Sequence, residues 1–182
     1  QGVECVFVAD MDNDGDMDIL SASRNDDTIA WYENDGAADP SWTAADIATS
    51  ADGAYYVTVS DLDRDGDMDI ISASVEDDAI AIYINNGAAD PSWSASDIAT
   101  SADNARSVFA ADLDNDGDID IVSASLGDDT IAWYENTTAA PGTPTFTAST
   151  ISNSVDGAQS VNAADIDADG DIDVLSGVDA TT

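Results

Sequence analysis

The chain has 182 residues, 43% of them hydrophobic, enough to bury a core, and it sets 39 acidic residues against three arginines with no lysine or histidine, for a formal charge of −36. Long-range repulsion from such a surface excludes nucleic acid and anionic lipid as direct partners and makes multivalent cations the natural counterions. The charge is also compatible with a high-salt setting, where screening shortens the reach of self-repulsion to a few ångströms.

No apolar run approaches the roughly 20 residues of a membrane span, so no membrane insertion is expected. No signal peptide is visible, and the chain begins at Gln1, as a mature product or a piece of something longer would. Cys5 is the only cysteine, so pairing within the chain is impossible and the redox compartment cannot be read from it. Its counterparts in the later repeats are Tyr56, Ser107 and Ser160, which makes it a tolerated single substitution.

One phrase recurs four times: "DMDNDGDMD" from Asp10, "DLDRDGDMD" from Asp61, "DLDNDGDID" from Asp112 and "DIDADGDID" from Asp165, at intervals of 51, 51 and 53 residues. A period of this size marks stacked supersecondary units. The units are residues 1–52, 53–103, 104–156 and 157–182, the last only half complete.

Within the second unit, "YYVTVS", the aspartate loop, "DIISAS", "AIAIYI" and "WSASDIAT" follow in order. The four apolar segments are short, rich in β-branched residues or alternating, and bounded by turn residues, so they predict four strands, a to d, and no helix. A tight acidic turn joins b to c ("RNDDT", "VEDDA", "LGDDT"). The c–d connection varies most, from "NDGAADPSW" to "NTTAAPGTPTF", which accounts for the two extra residues of the third unit. Strand a places Val6, Val57, Val108 and Val161 in register. Strand c offers Ile29 and Trp31, Ile80 and Ile82, Ile131 and Trp133, and strand d opens with Trp42, Trp93 or Phe146. Recurrence at equivalent positions points to these aromatics as core between units, whereas a sugar-stacking role would require Trp42 or Trp93 to be exposed.

Each aspartate loop reads D-x-D-x-D-G-x-x-D in outline. In the third loop, Asp112, Asp114 and Asp116 alternate so that their carboxylates converge, Gly117 permits a sharp turn, Asp120 returns at the ninth position, and the Asp118 carbonyl adds an oxygen. An all-oxygen set of about six or seven flexible ligands suits Ca²⁺ better than the strictly octahedral Mg²⁺, and softer metals find no ligand type they prefer. An EF-hand begins the same way but requires a bidentate Glu at the twelfth position. Here that position holds Ser21, Ser72, Ser123 and Ser176, and the flanks are strands.

Four-stranded units of this length are what a β-propeller blade requires. The loop between strands a and b, the "DIxSAS" strand and the "IAWYEN" strand together resemble the FG-GAP/VCBS repeat family, best known from integrin α-subunit propellers, across essentially the whole chain. The resemblance implies an all-β fold of four-stranded antiparallel propeller blades, three and a half of them, and up to four calcium ions. It places the ligands at Asp10, Asp12, Asp14, Asp16 and Asp18; Asp61, Asp63, Asp65, Asp67 and Asp69; Asp112, Asp114, Asp116, Asp118 and Asp120; and Asp165, Asp167, Asp169, Asp171 and Asp173. The seventh residue of each loop contributes its backbone carbonyl. The phenylalanine-glycine and glycine-alanine-proline signatures of integrin repeats are absent, and "SAS" stands in place of the latter.

Three and a half blades leave a face uncovered, to be completed by further blades of a longer chain, by a second copy making seven, or by head-to-tail stacking into a ring or filament. The near identity of the repeats favours the longer array. Weak extracellular-type calcium sites would stay empty in cytosol, so an extracellular or cell-surface location is expected, and the sequon Asn136-Thr137-Thr138 in the c–d loop is a candidate glycosylation site. The leading expectation is a calcium-rigidified structural or adhesive module, the alternative a carbohydrate-binding propeller. Catalysis is not expected: no nucleophile–base constellation is present, and the paired carboxylates recur identically, unlike a unique active site.

Overall fold

The computed structural model describes residues 2–138 and 142–179, and they are all-β with no helix, hence none long and apolar enough to cross a membrane. The first blade comprises β1 (Val3–Ala9), β2 (Asp18–Ser23), β3 (Thr28–Asn34) and β4 (Trp42–Ala48). The second comprises β5 (Ala54–Ser60), β6 (Asp69–Ser74), β7 (Ala79–Asn85) and β8 (Trp93–Ala99). The third comprises β9 (Ala105–Ala111), β10 (Asp120–Ser125), β11 (Thr130–Asn136) and β12 (Phe146–Ser152). A two-stranded sheet follows, β13 (Ala158–Ala164) and β14 (Asp173–Val178). Every sheet is an antiparallel meander in sequence order, as propeller blades are, and no closed barrel forms.

The core lies between blades. Leu20, Ala22, Ile29 and Trp31 of the first blade meet Ala54, Val57, Ile70 and Tyr83 of the second. The next junction repeats the arrangement with Ile71, Ala73, Ile80 and Ile82 against Val108, Ile121 and Tyr134, and the third with Val122, Ala124 and Ile131 against Ala158 and Val161. Strand alternation explains this, because each central strand sends successive side chains to opposite faces and both faces of a middle blade are covered. β6 and β10 are buried at every residue, serines included.

The first blade has one uncovered face. Val6 is 61% exposed although its counterparts Val57 and Val108 are at 0% and 1%. Trp42 is 44% exposed, while Trp93 and Phe146 pack into the junction cores. The expectation that these aromatics are core between units therefore holds for Trp31, Trp93 and Phe146 and fails for Trp42.

The acidic b–c turns hold the next blade in place. Asp27, Asp78 and Asp129 adopt left-handed backbone conformations with φ of 56–58°. Their Oδ1 atoms accept the N–H of Gly53, Asn104 and Gly157, and their carbonyls accept those of Ala51, Ala102 and Val155. All three arginines also bridge blades: Arg24 pairs with Glu76 at 2.7 Å, Arg106 lies 4.7 Å from the Tyr55 ring centroid, and Arg64 pairs with Asp118.

Candidate metal centre

The loops joining strands a and b gather carboxylates. Oxygens of Asp10, Asp12 and Asp18 lie within 4.8 Å of one another, as do those of Asp61, Asp63 and Asp69, of Asp112, Asp114 and Asp116, and of Asp165, Asp167 and Asp173. The first and third positions thus converge in all four loops, joined by the ninth in three and by the fifth in the third loop.

Backbone donors hold this shape. The first-position Oδ2 atoms of Asp10, Asp61, Asp112 and Asp165 accept the glycine N–H five residues on, at 3.0–3.1 Å. Those glycines, Gly15, Gly66, Gly117 and Gly170, have φ of 94–100° and open space where a Cβ would stand, so backbone conformation and not crowding requires glycine. Asp14, Asp65, Asp116 and Asp169 each accept, through Oδ1, the N–H of the seventh residue at 2.9–3.0 Å.

The ninth position is the anchor. Asp69 is fully buried, its Oδ2 accepting the N–H of Leu62 at 2.9 Å and its Oδ1 that of Asn85 at 2.8 Å. Asp18 is held likewise by Met11 and Asn34, and Asp120 by Leu113 and Asn136. Asp173 accepts from Ile166. Burial pushes the Asp69 carboxyl up to about 7 against the opposing pull of these N–H groups. Burial also raises Asp12, Asp63, Asp67 and Asp120, with neighbouring carboxylates adding to the rise.

The seventh-position side chains of Asp67, Asp118 and Asp171 are met from the preceding blade by Asn13, Arg64 and Asn115. Asp16 and Asp67 also lie against Gly36 and Gly87 of the c–d connection, where a Cβ would collide with either carboxylate.

The residues fit a hard divalent cation. The donors are all oxygen, three carboxylates converge without a cationic side chain among them, and the buried Oδ1 of Asp10 has no hydrogen-bond partner.

Asn136 departs from expectation. It is the last residue of β11, 1% exposed, and its Nδ2 donates to the carbonyls of Leu62 and Ile119 at 3.0 and 3.2 Å. A glycan on Nδ2 would replace one of its two N–H donors at a buried position, so the sequon is not an exposed loop site. The repeated asparagine ending strand c, in "YEN", "YIN" and "YEN", was the signal for this bracing role.

Compared with known families, residues 10–72, 61–123 and 112–176 each match the FG-GAP-like repeat. No curated protein matches the sequence. Among solved structures, the chain is similar to an Agrocybe aegerita lectin described for its specific recognition of non-reducing terminal N-acetylglucosamine, with a TM-score of 0.55 and 18% identity. The similarity covers 84% of this chain and 39% of the lectin, and at that identity it speaks to the fold alone.

Proposed function

The chain belongs to the FG-GAP-like repeat family, and from that premise we propose that it is an extracellular calcium-binding module whose role is structural, adhesive or in assembly. One observation carries this reading: carboxylate clusters with the same backbone bracing recur in four loops, in a chain with three cationic side chains. Calcium is the hard cation that accepts about six to eight oxygens in flexible geometry. Asp10, Asp12, Asp14 and Asp18 and their counterparts would hold it, with the carbonyls of Asp16, Asp67, Asp118 and Asp171.

The metal supplies charge neutralisation. At a dissociation constant of roughly 10⁻⁴ to 10⁻³ M, the range of extracellular modules, millimolar calcium stabilises each loop by about 0.4 to 1.4 kcal/mol. Such loops fill outside a cell and empty in cytosol, which supports the location. The uncovered face of the first blade, with Val3, Val6, Val8 and Trp42 exposed, supports a contact with further blades or another protein chain. Calorimetric titration of the metal-free chain tests the reading: up to four calcium ions should bind, and magnesium more weakly. Absence of calcium binding at millimolar concentration would overturn it.

A second reading, glycan binding, is favoured by a cleft that recurs at two blade junctions with the same serine, aspartate and tyrosine, about 170 Å³ at the first and larger at the second. Ser74, Asp77 and Tyr83 line it at one, and Ser125, Asp128 and Tyr134 at the next, where it measures about 310 Å³. Its polar lining beside a tyrosine suits a saccharide, and the lectin similarity makes N-acetylglucosamine the first probe. A glycan array in calcium tests it, and silence across the array removes this reading.

A further inference from the structure

The four loops are not independent of one another. Their fourth residues, Asn13, Arg64, Asn115 and Ala168, share a left-handed backbone conformation with φ of 60–62°. That conformation is disfavoured for residues other than glycine, and the loop is closed around it, since Asp12, Asp63, Asp114 and Asp167 on one side accept the N–H of Asp14, Asp65, Asp116 and Asp169 on the other. Its effect is to aim the fourth side chain out of its own loop and into the next blade.

There it meets the seventh aspartate. Asn13 Nδ2 donates to Asp67 Oδ1, and the Arg64 guanidinium pairs with Asp118 Oδ1 while its second nitrogen donates to the Thr138 carbonyl at 2.7 Å. Asn115 Nδ2 reaches Asp171 Oδ1 and the Gly170 carbonyl, both at the long distance of 3.4 Å. The contacted residue belongs to the receiving loop's own framework, because the N–H of Asp118 is bound by Asp116 Oδ1.

A second link fixes the spacing. Asn85 Nδ2 donates to the Met11 carbonyl in the first loop at 2.9 Å while the Asn85 N–H holds Asp69 in the second. Asn136 repeats this between the Leu62 carbonyl and Asp120. The loops are thereby registered so that the fourth residue of one always finds the seventh of the next.

Resting on the calcium reading, we propose that Asn13 and Arg64 are coupling residues, which transmit the ordering of one cation loop to its neighbour so that adjacent loops bind calcium with positive cooperativity. An ion holding the aspartates on either side of Arg64 fixes the direction of its side chain. The segment around Asp118 is then already ordered when its own ion arrives, and the second binding step carries less ordering cost. Coupling is reciprocal. It is strongest between the first three loops and weakest into the fourth, where Asn115 makes only the long contacts.

Hydrogen exchange on the full chain reads each loop separately through its hydrogen-bonded amides at Gly15, Gly66, Gly117 and Gly170. Four chains are compared across a calcium titration: the parent, Asp61→Ala, which disables the second loop, Arg64→Ala, and the double variant. Ala168 adopts the same φ as Arg64, so alanine is compatible with a closed loop.

Disabling the second loop should raise the calcium midpoint for protection of Gly117 by about fivefold, the low end of typical site-to-site coupling. In the Arg64→Ala background the midpoint should be raised already, and Asp61→Ala should add little. An unchanged Gly117 midpoint in Asp61→Ala, or a shift that survives Arg64→Ala in full, overturns the coupling while leaving calcium binding intact. Absence of calcium-dependent protection in every loop of the parent would instead sink the calcium reading itself.

Discussion

Asp69 and Asn85 link two blades: the Asn85 N–H binds Asp69 Oδ1 at 2.8 Å, and the Asn85 side chain carries the connection on to the Met11 carbonyl of the first blade. A ninth-position aspartate is therefore a framework residue even without metal, whereas a fifth-position residue such as Asp116 is exposed and its carboxylate accepts one local bond. Asp69→Ala should destabilise the chain by about 2 to 3 kcal/mol in calcium-free buffer, because two buried N–H groups lose their acceptor, and by more in calcium, where a ligand is lost as well. Asp116→Ala should lower the melting temperature in calcium and change it little without. Urea unfolding of both variants under both conditions separates these roles, and equal losses for Asp116→Ala in the two buffers would count against a calcium ligand there.

The pH dependence of the metal-free chain should have an unusual sign. The Asp69 carboxyl sits near about 7 when folded, raised by burial from a normal value near 3.8, and Asp12, Asp63, Asp67, Asp77 and Asp120 move in the same direction. A raised folded pKa gives stability that is fully present below the unfolded value and is lost as pH rises through the folded one. Calcium-free melting temperature should therefore fall between pH 5 and pH 7.5. Calcium competes with those protons for the same oxygens, so in saturating calcium the slope should flatten or reverse. Calorimetric scans across that window decide it, and a calcium-free melting temperature that rises with pH would mean these acids are charged without cost.

Strand positions and the convergence of the first- and third-position aspartates of each loop were legible from the sequence because each follows a local rule: β-branched segments, turn residues, and spacing along one short loop. Strand b began and ended where its composition predicted, at Asp69 and Ser74. What connects blades was not legible. The partner of Asn13 is Asp67, and nothing in the local pattern distinguishes a seventh aspartate facing its own loop from one facing its neighbour's. Asn136 was misread for a related reason. It reads with the sequon as part of the c–d loop, but it closes β11, where its N–H reaches Asp120. The acids of the b–c turn look like a solvated patch until the left-handed φ of Asp27, Asp78 and Asp129 shows them folded back onto the following connection.

That last contact gives a third prediction. Asp78 pays for a φ of 56° with a bond from Oδ1 to the Asn104 N–H at 2.9 Å. Asp78→Gly should cost about 1 kcal/mol, since the bond is lost but glycine accepts the conformation freely, while Asp78→Ala should cost about 2, since the strain remains without its compensation. Unfolding free energies that rank alanine above glycine would show that the turn relaxes to another conformation.

Val6 and Val57 test the uncovered face with the chain as its own control. They occupy the same strand position one repeat apart, yet one is 61% exposed and the other fully buried beneath the first blade. Val57→Ala should cost about 2 kcal/mol, two methyl groups' transfer energy plus a small cavity term. Val6→Ala should change stability by no more than about 0.5 kcal/mol in this 182-residue chain, as exposed substitutions do. The comparison is best made at two protein concentrations tenfold apart. If Val6→Ala proves costly, and more so at high concentration, then the face bearing Val3, Val6 and Trp42 is covered in solution by another chain. A small effect at both concentrations leaves that face free for a partner still to be supplied.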